Sequence, residues 1–206
     1  MQEDNKDDVK RIQSENISRF SHLSHDSLET LPDDVRERII AVQERTGFIP
    51  NVFLALARRP EEFRAFFAYH DALMEKKSCL SKVEREMIVV ATSAFNHCLY
   101  CVVAHGAILR VRSKNPKISE QISTNYRRAE ITERQKAILD YAYKVAIQSH
   151  EIHQEDIERL YAYGLDDEDI WDIGAIVAFF AMSNRLANMA AIQPNEEFYM
   201  MGRFLE

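Results

Sequence analysis

The chain has 206 residues and a mass of 24.0 kDa, the size of a single domain. Hydrophobic residues at 46% exclude a disordered chain, and a net charge of −7 argues against a nucleic-acid surface, which is normally basic. Five glycines and five prolines leave few residues for the tight hairpins of a β-sandwich and point to an all-α fold.

Residues 1–29 are polar and rich in Ser, His and Asp, and read as an N-terminal arm that is flexible or docks on a neighbour. The helical domain is expected over 30–206. Its first helix is expected at Leu31-Pro32-Asp33-Asp34, capped by an Asp, carrying Val35, Ile39, Ile40 and Val42, and ending at Gly47. Pro50 starts a short helix through Phe53 and Leu56. Pro60 starts a longer one through Phe63, Phe66, Phe67, His70 and Leu73.

Ser81-Lys82-Val83-Glu84 is a capping box opening a helix that runs to about Ala94. Asn96-His97 breaks the chain, a helix follows from near Cys98 to about Arg112, and Asn115-Pro116 stops it. A short helix is expected at Ile118–Tyr126, and Thr132 caps the next, carrying Ile138, Leu139, Ala142 and Val145. Another short one spans Gln154–Tyr163, and Asp166 or Asp167 caps a last long helix through Trp171, Val177, Phe180 and Leu186. No segment alternates with the period of a half-buried strand. Leu80–Ile88 and Ile131–Leu139 echo each other as capped amphipathic segments, the one hint of an internal helical repeat.

The last long helix is apolar on more than one face, since Ile173, Ile176, Val177, Phe179, Phe180 and Met182 do not fit one narrow stripe. Such a helix is either central to its own domain or covered by a partner. The apolar runs, Met87–Ala91 and Ala175–Met182, fall short of the ~20 residues of a membrane span. The N-terminal MQEDNKDDVK resembles neither a secretory signal nor a transit peptide, so the expected location is a reducing cytoplasm. There, three cysteines are not expected to form a structural disulfide framework.

The informative segment is Glu86 to His105. Cys98 and Cys101 form a C-x-x-C at a helix start, and His105 follows Cys101 by four residues, so the three side chains share a helical face. Glu86 faces the same spot if its helix packs antiparallel to the next. A helix N-terminus favours a thiolate, a second thiol three residues away can resolve a sulfenic acid, and an imidazole with a carboxylate can move the proton. On this reading one thiol, Cys101, is expected to titrate below the ~8.5 of a free cysteine. Two other readings use the same residues. The pair with His105 is half a zinc site, to be completed by Cys79 or His97, or the two thiols are inert core residues. His70 reads as a site wall or core histidine, and Cys79 as a bystander.

Glu86, Cys98-Leu99-Tyr100-Cys101 and His105 resemble the alkylhydroperoxidase D-like motif of the carboxymuconolactone decarboxylase superfamily, E-x11-C-x-[H/Y]-C-x3-H. Pro50-Asn51-Val52-Phe53, the Phe66–Leu73 stretch, and Asn184-Arg185-Leu186-Ala187 followed by Pro194 resemble its peroxidase-related branch, covering about Leu31 to Arg203. The resemblance implies a multi-helix bundle acting as a thiol-dependent peroxidase or disulfide oxidoreductase, with no haem, flavin or metal. It implies Cys101 as peroxidatic thiol, Cys98 as resolving thiol, and Glu86 and His105 as proton relay. It also implies a small hydroperoxide substrate, a dithiol or lipoyl-type donor, and a homo-oligomer of the trimeric or hexameric kind. Tyr100 stands where the family often has His, and a phenol near pKa 10 is a poor proton acceptor at neutral pH. Decarboxylase members lack the cysteine pair. A non-enzymatic redox sensor would use the same disulfide.

Overall fold

Ten α-helices and no strand make up the described residues, 20–204, of the computed structural model. They are α1 (Asp33–Thr46), α2 (Asn51–Ala57), α3 (Pro60–Met74), α4 (Lys82–Phe95), α5 (Leu99–Ser113), α6 (Ile118–Asn125), α7 (Glu133–Gln148), α8 (Gln154–Tyr161), α9 (Asp167–Met189) and α10 (Glu196–Met200). The all-α expectation holds, and the sequence reading lacked only the short α10. Residues 1–19, most of the polar arm, lie outside the described residues. Its described end docks on the loop after α9: Phe20 is buried, and the Gln193 N–H donates to the Phe20 carbonyl at 2.7 Å.

Capping chemistry sets three of the long helices. Ser81 with Glu84, Thr132 with Gln135, and Asp166 with Asp169 each form reciprocal capping boxes at the starts of α4, α7 and α9. α1 departs from expectation. Pro32, not an Asp, is its N-cap, while Asp33 and Asp34 lie in the first turn, where the helix dipole favours them. Gly47 ends α1 at φ 85°, a backbone that glycine adopts without steric cost.

The centre of the bundle is α4. Every residue from Glu84 to Ser93 is buried, and α4 packs chiefly against α5, then α9, α6 and α7. Burying side chains such as Ile88, Val90 and Ile173 contributes about 1.5–3 kcal/mol each. Gly106 in α5 lets α6 approach closely, because a Cβ there would lie 2.2 Å from Ser119 Oγ. α9 is long and apolar enough by composition to span a bilayer, yet a buried ion pair ties it into the bundle. Arg85 of α4 donates to Asp172 of α9 at 2.8 Å, to Ser78 Oγ at 2.7 Å, and to the Leu73 and Leu80 carbonyls.

The connection between α4 and α5 positions the site. Only Asn96, His97 and Cys98 separate the two helices, and His97 reverses the chain with φ 52°. The result is a tight antiparallel pair in which Glu86 and His105 come together.

Candidate active site

Cys98 is the N-cap of α5, and its Sγ accepts the Cys101 N–H at 3.5 Å. The pair is two free thiols, both buried, at 0% and 2% exposure. Their ionisation is unequal. The Cys101 thiol hydrogen-bonds Cys98 and stabilises a thiolate there, so Cys98 titrates below an ordinary thiol despite its burial. Cys101 is pushed well above the ordinary value, first by that same interaction and then by burial. This reverses the expectation that Cys101 ionises first. The cap position, which collects the helix N–H groups, belongs to Cys98.

Two residues of α9 complete the surroundings of the sulfurs. Asn184, fully buried, favours the charged forms of both thiols, and Ser183 does the same for Cys101. The Asn184 amide is fixed by Ser93 Oγ, to which it donates at 3.0 Å, and by the Asn96 amide, which donates to it at 2.9 Å. Replacing Asn184 by Ala should move the first thiol ionisation up toward that of an ordinary cysteine. Thiolate absorbance against pH reads this directly, and an unchanged midpoint would remove Asn184 from the site's electrostatics.

One turn beyond Cys101, His105 Nδ1 lies 2.8 Å from Glu86 Oε2. The antiparallel packing expected from the sequence thus brings this couple together. Glu86 is almost wholly buried, and its other oxygen lies 3.1 Å from the Arg112 guanidinium as an ion pair. Arg112 in turn holds Glu75 at 2.9 Å, and Glu75 pairs with Lys82 at the surface. Among Cys98, Cys101, Glu86 and His105, only the His105 side chain reaches appreciable solvent, at 14% exposure.

The secondary candidates separate. His70 on α3 stands beside the couple, its ring 6.5 Å from that of His105, with Nδ1 3.1 Å from Asp71. Burial draws its pKa below the ordinary imidazole value, which suits a neutral wall residue. Tyr100 is a packing anchor. Its hydroxyl accepts the Val52 N–H at 3.3 Å, tying the start of α2 to α5, its ring packs edge-on near Phe198, and burial pushes its phenol well above the ordinary value.

Cys79 and His97, which a zinc reading would recruit, are both exposed. Among the described residues no three His, Cys, Asp or Glu side chains gather as a ligand set. Two surface clefts, of about 490 and 300 Å³, lie elsewhere and are lined by none of the four motif residues.

The carboxymuconolactone decarboxylase family model matches residues 60–148. A peroxidase-related protein of Ralstonia eutropha, described as an alkylhydroperoxidase AhpD core, is 58% identical. The match covers 91% of this chain and 98% of that one, with a TM-score of 0.90. A peroxidase-related protein from a Silicibacter species is 41% identical over 90% of this chain and 97% of its own, with a TM-score of 0.85. A debrominase at 16% identity, covering 89% and 96% of the two chains with a TM-score of 0.68, shares the fold alone. No curated protein matches. With relatives this similar over nearly their whole length, the chain belongs to the alkylhydroperoxidase D-like, carboxymuconolactone decarboxylase superfamily, in its peroxidase-related branch.

Proposed function

We propose that this chain is a cytoplasmic thiol peroxidase that reduces a small hydroperoxide through Cys98 and Cys101 and is recycled by a dithiol or lipoyl-type donor. The observation that carries the reading is the His105–Glu86 hydrogen bond, held one helical turn from the buried Cys98–Cys101 thiol pair.

Cys98 is the more acidic thiol of the pair. Once Cys98 is ionised, transfer of the Cys101 proton to it makes Cys101 the thiolate and Cys98 the thiol. Cys101 Sγ then attacks the terminal oxygen of the hydroperoxide. An S–O bond forms, the O–O bond breaks, and the departing alkoxide takes a proton relayed through His105 and Glu86, leaving an alcohol and Cys101 sulfenic acid. Cys98 Sγ displaces the sulfenic oxygen as water and closes the disulfide. An external dithiol attacks Cys101 Sγ and expels Cys98, whose stabilised thiolate makes it the better leaving group. The dithiol leaves as its own disulfide, so the peroxide is reduced by two electrons and the donor oxidised by two.

A screen of hydroperoxides against dithiol and lipoyl donors tests the function. Multiple turnovers with a dithiol, and far fewer with a monothiol, are expected. Oxidation of the pair once per chain, without turnover under any donor, would overturn the enzyme reading in favour of a redox sensor.

A further inference from the structure

We propose that His70, coupled to Asp71, is the general base that takes the proton of the incoming dithiol as its sulfur attacks Cys101. This role presupposes the thiol cycle described above, and it divides the proton work of that cycle between two imidazoles.

The site holds two histidine–carboxylate couples, and the peroxide step uses one of them. His105 Nδ1 meets Glu86 at 2.8 Å, and His70 Nδ1 meets Asp71 at 3.1 Å. Arg38 of α1 donates to the other Asp71 oxygen at 2.7 Å, a charge-assisted bond that suits an ionised carboxylate. Such a carboxylate only accepts, so the neutral His70 ring carries its proton on Nδ1 and keeps the Nε2 lone pair for another donor. Burial draws the ring below the ordinary imidazole value, which leaves it neutral and ready as a base at neutral pH. Once it is protonated, Asp71 steadies the imidazolium.

The direction of attack places the donor near this ring. In thiol–disulfide exchange the attacking, central and leaving sulfurs lie in line, so the donor sulfur reaches Cys101 from the side away from Cys98. Cys98, Cys101 and His105 follow one another along one face of α5. That side therefore leads toward His105, about 6 Å further along the helix. The His70 ring lies 6.5 Å from that of His105, and Phe180 of α9 packs edge-on against both, at 4.8 Å from His105 and 6.3 Å from His70. Side-chain exposure rises from 2% at Glu86 to 14% at His105 and 25% at His70, so a donor moving inward comes to His70 before His105. Tyr100 is no rival base, because its hydroxyl is spent on the Val52 N–H and stays protonated. Among the described residues, the charged and titratable groups around His70 are Asp71, Arg38 behind it, Glu86 of α4 and His105, while α9 presents the rings of Phe179 and Phe180.

The donor S–H bond breaks, its proton passes to His70 Nε2, and its sulfur bonds to Cys101 Sγ. The Cys98–Cys101 bond breaks in the same step, and Cys98 leaves as a thiolate. The donor's second thiol then attacks its own sulfur in the mixed disulfide and expels Cys101, which takes the second proton. Two electrons pass from the dithiol to the pair, and His70 returns its proton to water.

The test starts from the full chain with its pair closed by diamide, so it needs no peroxide turnover. Reduction by dithiothreitol is followed from neutral to alkaline pH by alkylation quench and mass analysis. At pH 7 an ordinary thiol is only about 3% ionised, so a base that takes its proton in place is worth up to about 30-fold. His70→Gln should be reduced about 10-fold or more slowly than wild type at pH 7, with the deficit vanishing as pH rises past the donor's own thiol pKa. Asp71→Asn keeps the imidazole without its carboxylate, and should lose less at pH 7 and converge in the same way. It also decides the matter if far-ultraviolet dichroism shows that His70→Gln has lost native helicity. Reduction of both variants as fast as wild type at pH 7, or a deficit unchanged at high pH as a packing defect would give, would overturn the role of His70. Reduction that depends on His70 in a chain without peroxide turnover would uphold this role and remove the peroxidase. A pair that diamide does not close would remove both.

Discussion

Cys101→Ser should abolish dithiol-dependent peroxide turnover, a loss of at least about 10⁴-fold, because a serine hydroxyl is not ionised at neutral pH and forms no sulfenic acid. Cys98→Ser should give an equally dead enzyme in steady state with a different fingerprint. Its Cys101 sulfenic acid has no resolving partner and accumulates, so a sulfenic-acid trap should label Cys101 once per peroxide consumed. Cys98 is also the more acidic thiol and the acceptor of the Cys101 proton, so this variant should make its sulfenic acid more slowly than wild type oxidises. The measurement is a trap-and-mass experiment after a single addition of peroxide. Label appearing on Cys98 in Cys101→Ser, with none on Cys101 in Cys98→Ser, would exchange the roles of the two thiols.

Arg85→Ala should lower unfolding free energy by about 3–5 kcal/mol, the cost of stranding a partner of a buried ion pair. Arg85 is fully buried and donates to two backbone carbonyls as well as Asp172 and Ser78, so its removal leaves several acceptors without a donor. For a domain of this size such a loss corresponds to a fall in Tm of roughly 6–20 °C. Arg85→Met combined with Asp172→Leu should cost less than the two single changes added together, because no charge is then left unpaired. Urea unfolding followed by far-ultraviolet dichroism gives the values. A loss under about 1 kcal/mol for Arg85→Ala would mean that the pair does not tie α4 to α9.

Much of this arrangement was legible in the sequence because it is local. The capping boxes at Ser81, Thr132 and Asp166 announce helix starts within four residues, and the spacing of Cys98, Cys101 and His105 places them on one face of α5. The Glu86–His105 couple needed only a short reversal between two helices. What was missed depends on contacts between distant segments. Asn184 and Ser183 reach the thiols from α9, far along the chain, and no local pattern marks them apart from the Asn184-Arg185-Leu186-Ala187 run. Arg112 of α5 joins Glu86, and Glu75, just past the end of α3, joins it through Arg112. Helix position and the nearby His105 pointed to Cys101 as the more acidic thiol, and helix position alone does not say which cysteine is the cap. The structure shows that Cys98 is the cap and Cys101 its donor. At Pro32 the sequence offered two aspartates as caps, and the proline's extended backbone took the position instead.

The proposed function rests on Cys98 and Cys101 forming a working redox couple, with Cys79 a bystander. The direct test is mass mapping of cysteine states after one equivalent of hydroperoxide, and again after a dithiol is added. A Cys98–Cys101 disulfide with Cys79 still free is expected, returning fully to thiols on reduction. Cys98 and Cys101 both still reduced, or Cys79 found in the disulfide, would contradict it.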